Sequence, residues 1–225
     1  MRRLGITTTR DRASELADIV TARGCEPVVL PCIEVLSLPD DVVERARDIA
    51  AAADRMIVTS PRTISTLWPD DDMPAIPVAV VGARTAEQVE AAGGTVALVG
   101  ESGADALIAR LPEAWWRFDV FFPHGAAADP INVDGRQIAG MAVYDTRPIP
   151  PEADAVDAAI FGSPSAVAGW IMSRSLDDLL LGAIGVSTTD ALVQQGHPPD
   201  IVPDRPDYEA LITLVADDLT DRSPA

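Results

Sequence analysis

Asp157-Ala-Ala-Ile-Phe-Gly-Ser163-Pro164 restates Asp54-Arg-Met-Ile-Val-Thr-Ser60-Pro61. Further on, Gly185-Val-Ser-Thr188 restates Gly82-Ala-Arg-Thr85, and Gly196 restates Gly93. Ser163 follows Ser60 by 103 residues, and the other pairs keep that separation. Four markers at one spacing, each beside an apolar run, are the mark of an internal repeat. The period is too long for a solenoid and suits two sister domains.

Each copy reads as the same physical device. Ile57-Val58 and Ala159-Ile160-Phe161 are short apolar runs, as expected of strands covered on both faces. Ser60 and Ser163 stand where a helix N-cap belongs, with Pro61 and Pro164 at the first helical position, where a missing N–H costs nothing. A second strand follows in each copy, and its Gly-x-x-Thr turn opens another helix. Thr85 and Gln88 stand there at capping-box spacing. Helix N-termini therefore gather at the carboxyl ends of parallel strands, where open α/β sheets bind ligands and where free N–H groups suit anions.

Composition bounds what the chain does. Its 225 residues carry 17 Lys and Arg against 35 Asp and Glu, a net charge of −18. That balance argues against a nucleic-acid partner and an anionic membrane surface. No apolar run approaches the roughly 18 residues of a spanning helix, and Met1-Arg-Arg lacks a signal-peptide core. Cys25 and Cys32 fit no metal spacing and read as buried small hydrophobes. A cytoplasmic protein is expected, using no metal and no cofactor, since there is no P-loop and no Cys/His ligand set.

From the N-terminus, a strand ends at Thr9-Arg10, a helix spans Ser14–Ala22, and Gly24 precedes a second strand. This is β-α-β alternation, for which a parallel sheet with right-handed crossovers is expected. Two extended, proline-flanked stretches, Ile33–Pro39 and Val143–Pro150, interrupt it. Ser102–Leu111 reads as a helix with a Ser-x-x-Asp start. Asp119–Pro123 reads as a strand leading into His124-Gly125. Between Gly125 and Ala139, where Pro130 falls, helical periodicity is weak, so any helix there is stunted or absent. The chain ends in a disordered-looking tail.

In their order and spacing these residues resemble the uroporphyrinogen-III synthase family. The pattern is Thr9-Arg10, Gly24…Pro31, the Thr-Ser60 turn, Val81-Gly82-x-x-Thr85-Ala86, and Gly93-x-x-Val96. It continues with Val143-Tyr144-x-Thr146-x-Pro148, Ser163-Pro164-Ser165, Ile184-Gly185-x-x-Thr188, Gly196, and the closing helix at Leu211. The resemblance covers nearly the whole chain. It implies an α/β fold of two flavodoxin-like (Rossmann-like) parallel-sheet domains joined by a two-stranded linker. Domain 1 would be discontinuous, residues 1–34 plus 147–225, and domain 2 would be inserted at 38–143, with linker strands at 33–39 and 143–150. It implies a cofactor-free lyase that takes linear hydroxymethylbilane, removes its terminal hydroxyl as water, inverts the last pyrrole ring through a spiro intermediate and closes uroporphyrinogen III. A two-lobed small-molecule sensor, or a cyclase or dehydratase acting on another substrate, is the alternative. A monomer is expected.

The resemblance also assigns residues. Tyr144 matches the family's linker tyrosine, whose phenol assists departure of the hydroxyl; the plain alternative is a strand-edge aromatic that packs. Thr188, as a second catalytic hydroxyl, and Thr85 donate into the cleft or simply cap helices. Ser60 and Ser163 are caps on any reading, and the amides after them, with Pro164 and Ser165, would hold substrate carboxylates. Thr9, Arg10, His124 and Gly125 complete the substrate-binding set, and Arg147 lies near it in chain order. Ser163 as a hydrolase nucleophile is poorly supported, because Gly162-Ser163-Pro164 lacks an elbow's second glycine.

Overall fold

In the computed structural model, which describes residues 1–100, 103–126, 131–133 and 136–221, the two copies of the repeat lie in different sheets. The first sheet is formed by β1 (Arg3–Ile6), β2 (Glu26–Val29), β11 (Ala158–Phe161) and β12 (Leu180–Ala183), in the order β12-β11-β1-β2. All its pairs are parallel. A single parallel bridge, Gly182 to Ile201, stands where a fifth strand would be. The second sheet holds β3 (Ile33–Ser37), β4 (Arg55–Val58), β5 (Pro77–Val81), β6 (Thr95–Gly100), β7 (Val120–Gly125) and β10 (Ala139–Pro148). Its order is β3-β10-β7-β4-β5-β6. By internal contacts the chain divides into unit 1, Met1–Val35 with Arg147–Ala225, and unit 2, Leu36–Thr146.

The pairing registers show how the two sheets correspond. Met56 pairs with Val78 and Ala159 with Leu181; Ala79 pairs with Leu98 and Gly182 with Ile201. Each second pair lies 103 residues beyond the first. On the other side of the first repeat strand, Arg55 pairs with Val120, while Ala158 pairs with Leu4. β1 therefore takes the place of β7, and β2 that of β10. The units share one spatial strand order but enter it at different strands. Counted from the matching edge, with β3 left aside, unit 1 runs 2-1-3-4-5 in chain order, as in flavodoxin, and unit 2 runs 5-4-1-2-3.

The helices follow the same correspondence. α3 (Pro61–Leu67) and α4 (Ala83–Ala91) match α6 (Pro164–Ile171) and α7 (Val186–Gln194). α5 (Gly103–Arg110) matches α8 (Tyr208–Asp221), which buries Leu211, Ile212, Val215, Ala216 and Leu219 along one stripe. α1 (Arg10–Ala22), between β1 and β2, has no described counterpart between β7 and β10. There the chain makes two short antiparallel strands, β8 (Asn132–Val133) and β9 (Arg136–Gln137). The weak periodicity of that stretch thus corresponds to a hairpin. Pro130, Ser102 and the tail beyond Asp221 lie outside the described residues.

Each sheet is covered on both faces. One face of unit 1 packs Leu4, Ile6, Ala158 and Ile160 with α1 and α8; the other packs Ala159, Phe161 and Leu181 with Val167 and Trp170 of α6. In unit 2, Met56, Val58 and Val80 pack with α3, α4 and α2 (Asp40–Ala52). Ile57, Ala79 and Phe122 pack with Leu107 and with Trp115 of a 3-10 helix over Glu113–Arg117 that the sequence pattern does not announce. Two-sided burial is why the repeat strands are continuously apolar. Cys25 and Cys32 are free thiols, both buried.

Candidate functional site

In unit 1 the carboxyl ends of β1, β11 and β12 carry three turns side by side. After β1 comes Thr7-Thr8-Thr9, buried throughout, with Thr9 as N-cap of α1. The Thr7 hydroxyl donates to the Ile160 carbonyl at 2.7 Å and so ties this turn to β11. After β11, Ser163 caps α6: its Oγ accepts from the Ala166 amide at 3.2 Å, and Pro164 follows as the first helical residue. With Ala166 capped and Pro164 lacking an N–H, Ser165 carries the remaining amide of the first turn. After β12, Gly185 opens α7. Strand order reverses between β11 and β1, successive strands being added on one side of β1 and then on the other, which makes their carboxyl ends the topological switch point of the unit.

Unit 2 repeats the arrangement on β4, β5, β7 and β10. Ser60 caps α3, its Oγ accepting from the Arg62 amide at 3.2 Å. Gly82, at φ 82°, turns β5 into α4 through backbone that favours glycine. The switch point lies between β4 and β7, and His124-Gly125 ends β7 there. Nδ1 of His124 lies 2.8 Å from the Gly125 carbonyl. A carbonyl can only accept, so Nδ1 is the donor in this hydrogen bond. The ring also packs on Phe122, with centroids 4.8 Å apart. Tyr144, half-buried on β10, lays its ring against Gly125, and its carbonyl accepts from the Ala126 amide at 2.9 Å.

The structure corrects one expectation. Thr85 and Thr188 do not cap their helices, so the capping box of Thr85 with Gln88 does not form. The caps are Gly82 and Gly185, and each threonine sits inside the first turn, almost wholly buried at 2 % and 1 % exposure. Arg10, at the first position of α1, is 68 % exposed and pairs with Glu152 at 3.6 Å, a surface contact worth little. Arg147 pairs with Glu34 at 2.7 Å. Among the described residues no group of three His, Cys, Asp or Glu side chains is placed to hold a metal ion.

The site residues thus fall into two sets. Thr9, Arg10, Ser163, Pro164, Ser165 and Thr188 share the strand-end edge of unit 1; Ser60, Thr85, His124, Gly125 and Tyr144 share that of unit 2. Sequence reasoning passed over Tyr208, at the head of α8. Its ring lies over Gly162 and under the Arg12 guanidinium, 5.6 Å from the centroid. Burial pushes this phenol's pKa up, against the opposite pull of the Arg12 charge. No spacing pointed to it, because Arg12 lies 196 residues earlier in the chain. The only local signal was an aromatic at a helix start otherwise made of Asp, Pro and Arg.

A family model described as uroporphyrinogen-III synthase HemD matches residues 14–213. Among solved structures, a mutant uroporphyrinogen III synthase from the extremely thermophilic bacterium Thermus thermophilus is similar at 16 % identity and TM-score 0.61, covering 99 % of this chain and 100 % of that one. The wild-type protein from the same organism, in another crystal form, is 16 % identical at TM-score 0.47, covering 98 % of each chain. A further structure of the Thermus thermophilus enzyme is 17 % identical at TM-score 0.49, covering 98 % of this chain and 100 % of that one. No curated protein sequence matches the chain. At such identities the first likeness speaks for the fold, and the family match over most of the chain speaks for kinship.

Proposed function

The chain belongs to the uroporphyrinogen-III synthase family, and on that premise we propose that it closes hydroxymethylbilane to uroporphyrinogen III with loss of water. It is a cyclising hydro-lyase of tetrapyrrole biosynthesis. The observation that carries this reading is the extent of the family match. Residues 14–213 take in both units and all the site residues except Thr9 and Arg10.

The chemistry asks for three things. The bilane's carboxylates must be held, its terminal hydroxyl must leave, and the last ring must be turned before closure. In a protein of net charge −18, binding falls to fixed dipoles. The first-turn amides after Ser163, Gly185 and Gly82 are the groups we assign to it, with Ser60, Thr9, Arg10, His124 and Gly125 beside them. Tyr144 is the phenol we assign to the leaving group. The C–O bond breaks with its electron pair on oxygen, the phenol proton completes water, and the pyrrole nitrogen's electrons stabilise the cation left behind. Ring closure later frees a proton from the attacked pyrrole carbon, so the phenol ends protonated. Thr188, buried at the end of β12, is the second hydroxyl we place on the path. We propose a cytoplasmic monomer; the charge balance speaks against a nucleic-acid or anionic membrane partner, and no described helix is long and apolar enough to cross a membrane.

The test is a coupled assay in which a deaminase supplies hydroxymethylbilane and the isomers are separated after oxidation. Type III product in excess of type I is expected. Type I alone, at the rate seen without protein, overturns the reading. Chelator is expected to leave type III formation unchanged, and a need for added metal or nucleotide would contradict a cofactor-free reaction.

A further inference from the structure

Unit 2 holds a cavity of about 670 Å³ away from its substrate edge. Val120 and Phe121, at the start of β7, and Ala139, at the start of β10, line it. The cavity therefore lies at the amino ends of strands that reach His124, Gly125 and Tyr144 only further along. Ile49, Ala52 and Ala53, at the carboxyl end of α2, give it one apolar wall, and Val133 and Ile138 give it another. Trp116 and Phe118, from the 3-10 helix and the residue after it, add two aromatic rings. Phe118 is 46 % exposed although it is a large apolar side chain. A hollow of this volume, mostly apolar with a few charged groups, suits a small organic molecule.

The charges decide which kind. Glu113 and Asp119 stand on the lining with Arg117, two carboxylates to one guanidinium. α2 ends at this wall, where its last carbonyls have no following turn to bond and present the negative end of the helix dipole. Aromatic faces attract cations through the ring quadrupole. The Phe118 ring already takes one, the Arg55 guanidinium, 4.0 Å from its centroid. The net charge of −18 draws cations from further away.

We propose that this cavity is a second binding site, for a small organic cation: a protonated amine carried on an apolar or aromatic body. The body would displace water from the walls formed by α2, Val133 and Ile138. The ammonium would lie among Glu113, Asp119 and the rings of Trp116 and Phe118. A carboxylate on the same body would find only Arg117 to receive it. The site is thus the electrostatic opposite of the substrate edges, where helix N-termini are assigned to carboxylates.

This inference does not rest on the synthase reading, and no arm of its test uses activity. Phenylethylamine, phenylethanol and phenylpropanoate, a cation, a neutral alcohol and an anion on one kind of body, are titrated calorimetrically into the full wild-type chain at fixed ionic strength. The amine is expected to bind at millimolar concentration, about 10-fold more tightly than the anion, with the alcohol between them. The double variant Glu113→Gln/Asp119→Asn keeps the walls and removes both carboxylates. It is expected to bind the amine about 3- to 5-fold more weakly and the alcohol as before. No binding of the amine at millimolar concentration, or equal binding of amine and anion, overturns the inference whatever the variant does. Undiminished amine binding in the double variant would mean attraction to the net charge alone and overturns it too, as does an equal loss for amine and alcohol.

Discussion

The ring of Tyr144 rests on Gly125. A Cβ built on that glycine would stand 2.8 Å from the tyrosine's Cε2 and Cζ and 3.0 Å from its hydroxyl oxygen. The absence of a side chain at the end of β7 is therefore what lets the phenol lie over the strand end beside His124. Tyr144→Phe keeps the packing and removes the proton donor, and turnover is expected to fall by about 10- to 100-fold. Gly125→Ala keeps the phenol and displaces its ring, so a loss of kcat is expected there as well, with about 1–3 kcal/mol of stability from overpacking. Wild-type kcat in the phenylalanine variant would reduce Tyr144 to packing.

Thr188 offers a cleaner substitution, because valine matches its shape. Its side chain is buried in the first turn of α7, so Thr188→Val removes a hydroxyl and little else. We expect kcat/KM for type III formation to fall by roughly 10-fold, the value of a hydrogen bond made to a developing charge, with folding little altered. If kcat/KM holds and only the denaturant midpoint moves, the hydroxyl serves the fold and not the reaction.

The two serine caps test the repeat itself. Ser163 and Ser60 each accept from a first-turn amide at 3.2 Å. Replacing either by alanine removes the side-chain cap, at about 1 kcal/mol. For a chain of this size that corresponds to roughly 2–4 °C in melting temperature. Losses of similar size are expected at both positions, adding in the double variant because the caps share no partner. A loss at one position only would show that the copies have ceased to be equivalent.

Burial raises the Cys32 thiol from 9.0 to about 12, with the nearby Arg174 charge pulling weakly the other way. Cys25 is raised too, by burial first and then by Asp157 and Asp217. Both thiols should therefore stay protonated and resist a disulfide reagent at pH 8 in the native protein, and react once it is unfolded. The sign for stability follows from the same shift. Below pH 9 both states hold the Cys32 proton; between pH 9 and about 12 only the native state does. The denaturant midpoint should fall as pH rises through that window. Thiol labelling of the folded protein at pH 8 at the rate of a free thiol would contradict the burial.

Much of the fold was legible in the chain because its signals are local. Ser60-Pro61 and Ser163-Pro164 start helices through their own side chains and backbone, and two-sided burial writes itself as uninterrupted apolar runs at Ile57-Val58 and Ala159–Phe161. The separation of 103 residues then announced two related units before any contact was known. Other features depend on pairing between distant strands. That β1 and β2 stand in for β7 and β10 follows only from the registers of Leu4 with Ala158 and Val120 with Arg55. That Thr85 and Thr188 lie inside their helices depends on the backbone of Gly82 and Gly185, for a Gly-x-x-Thr spacing fits a cap and a first turn equally well. Tyr208 shows the limit most plainly. A tyrosine before an amphipathic helix reads as ordinary, and the space it fills over Gly162 is seen only once α8 packs against the end of β11.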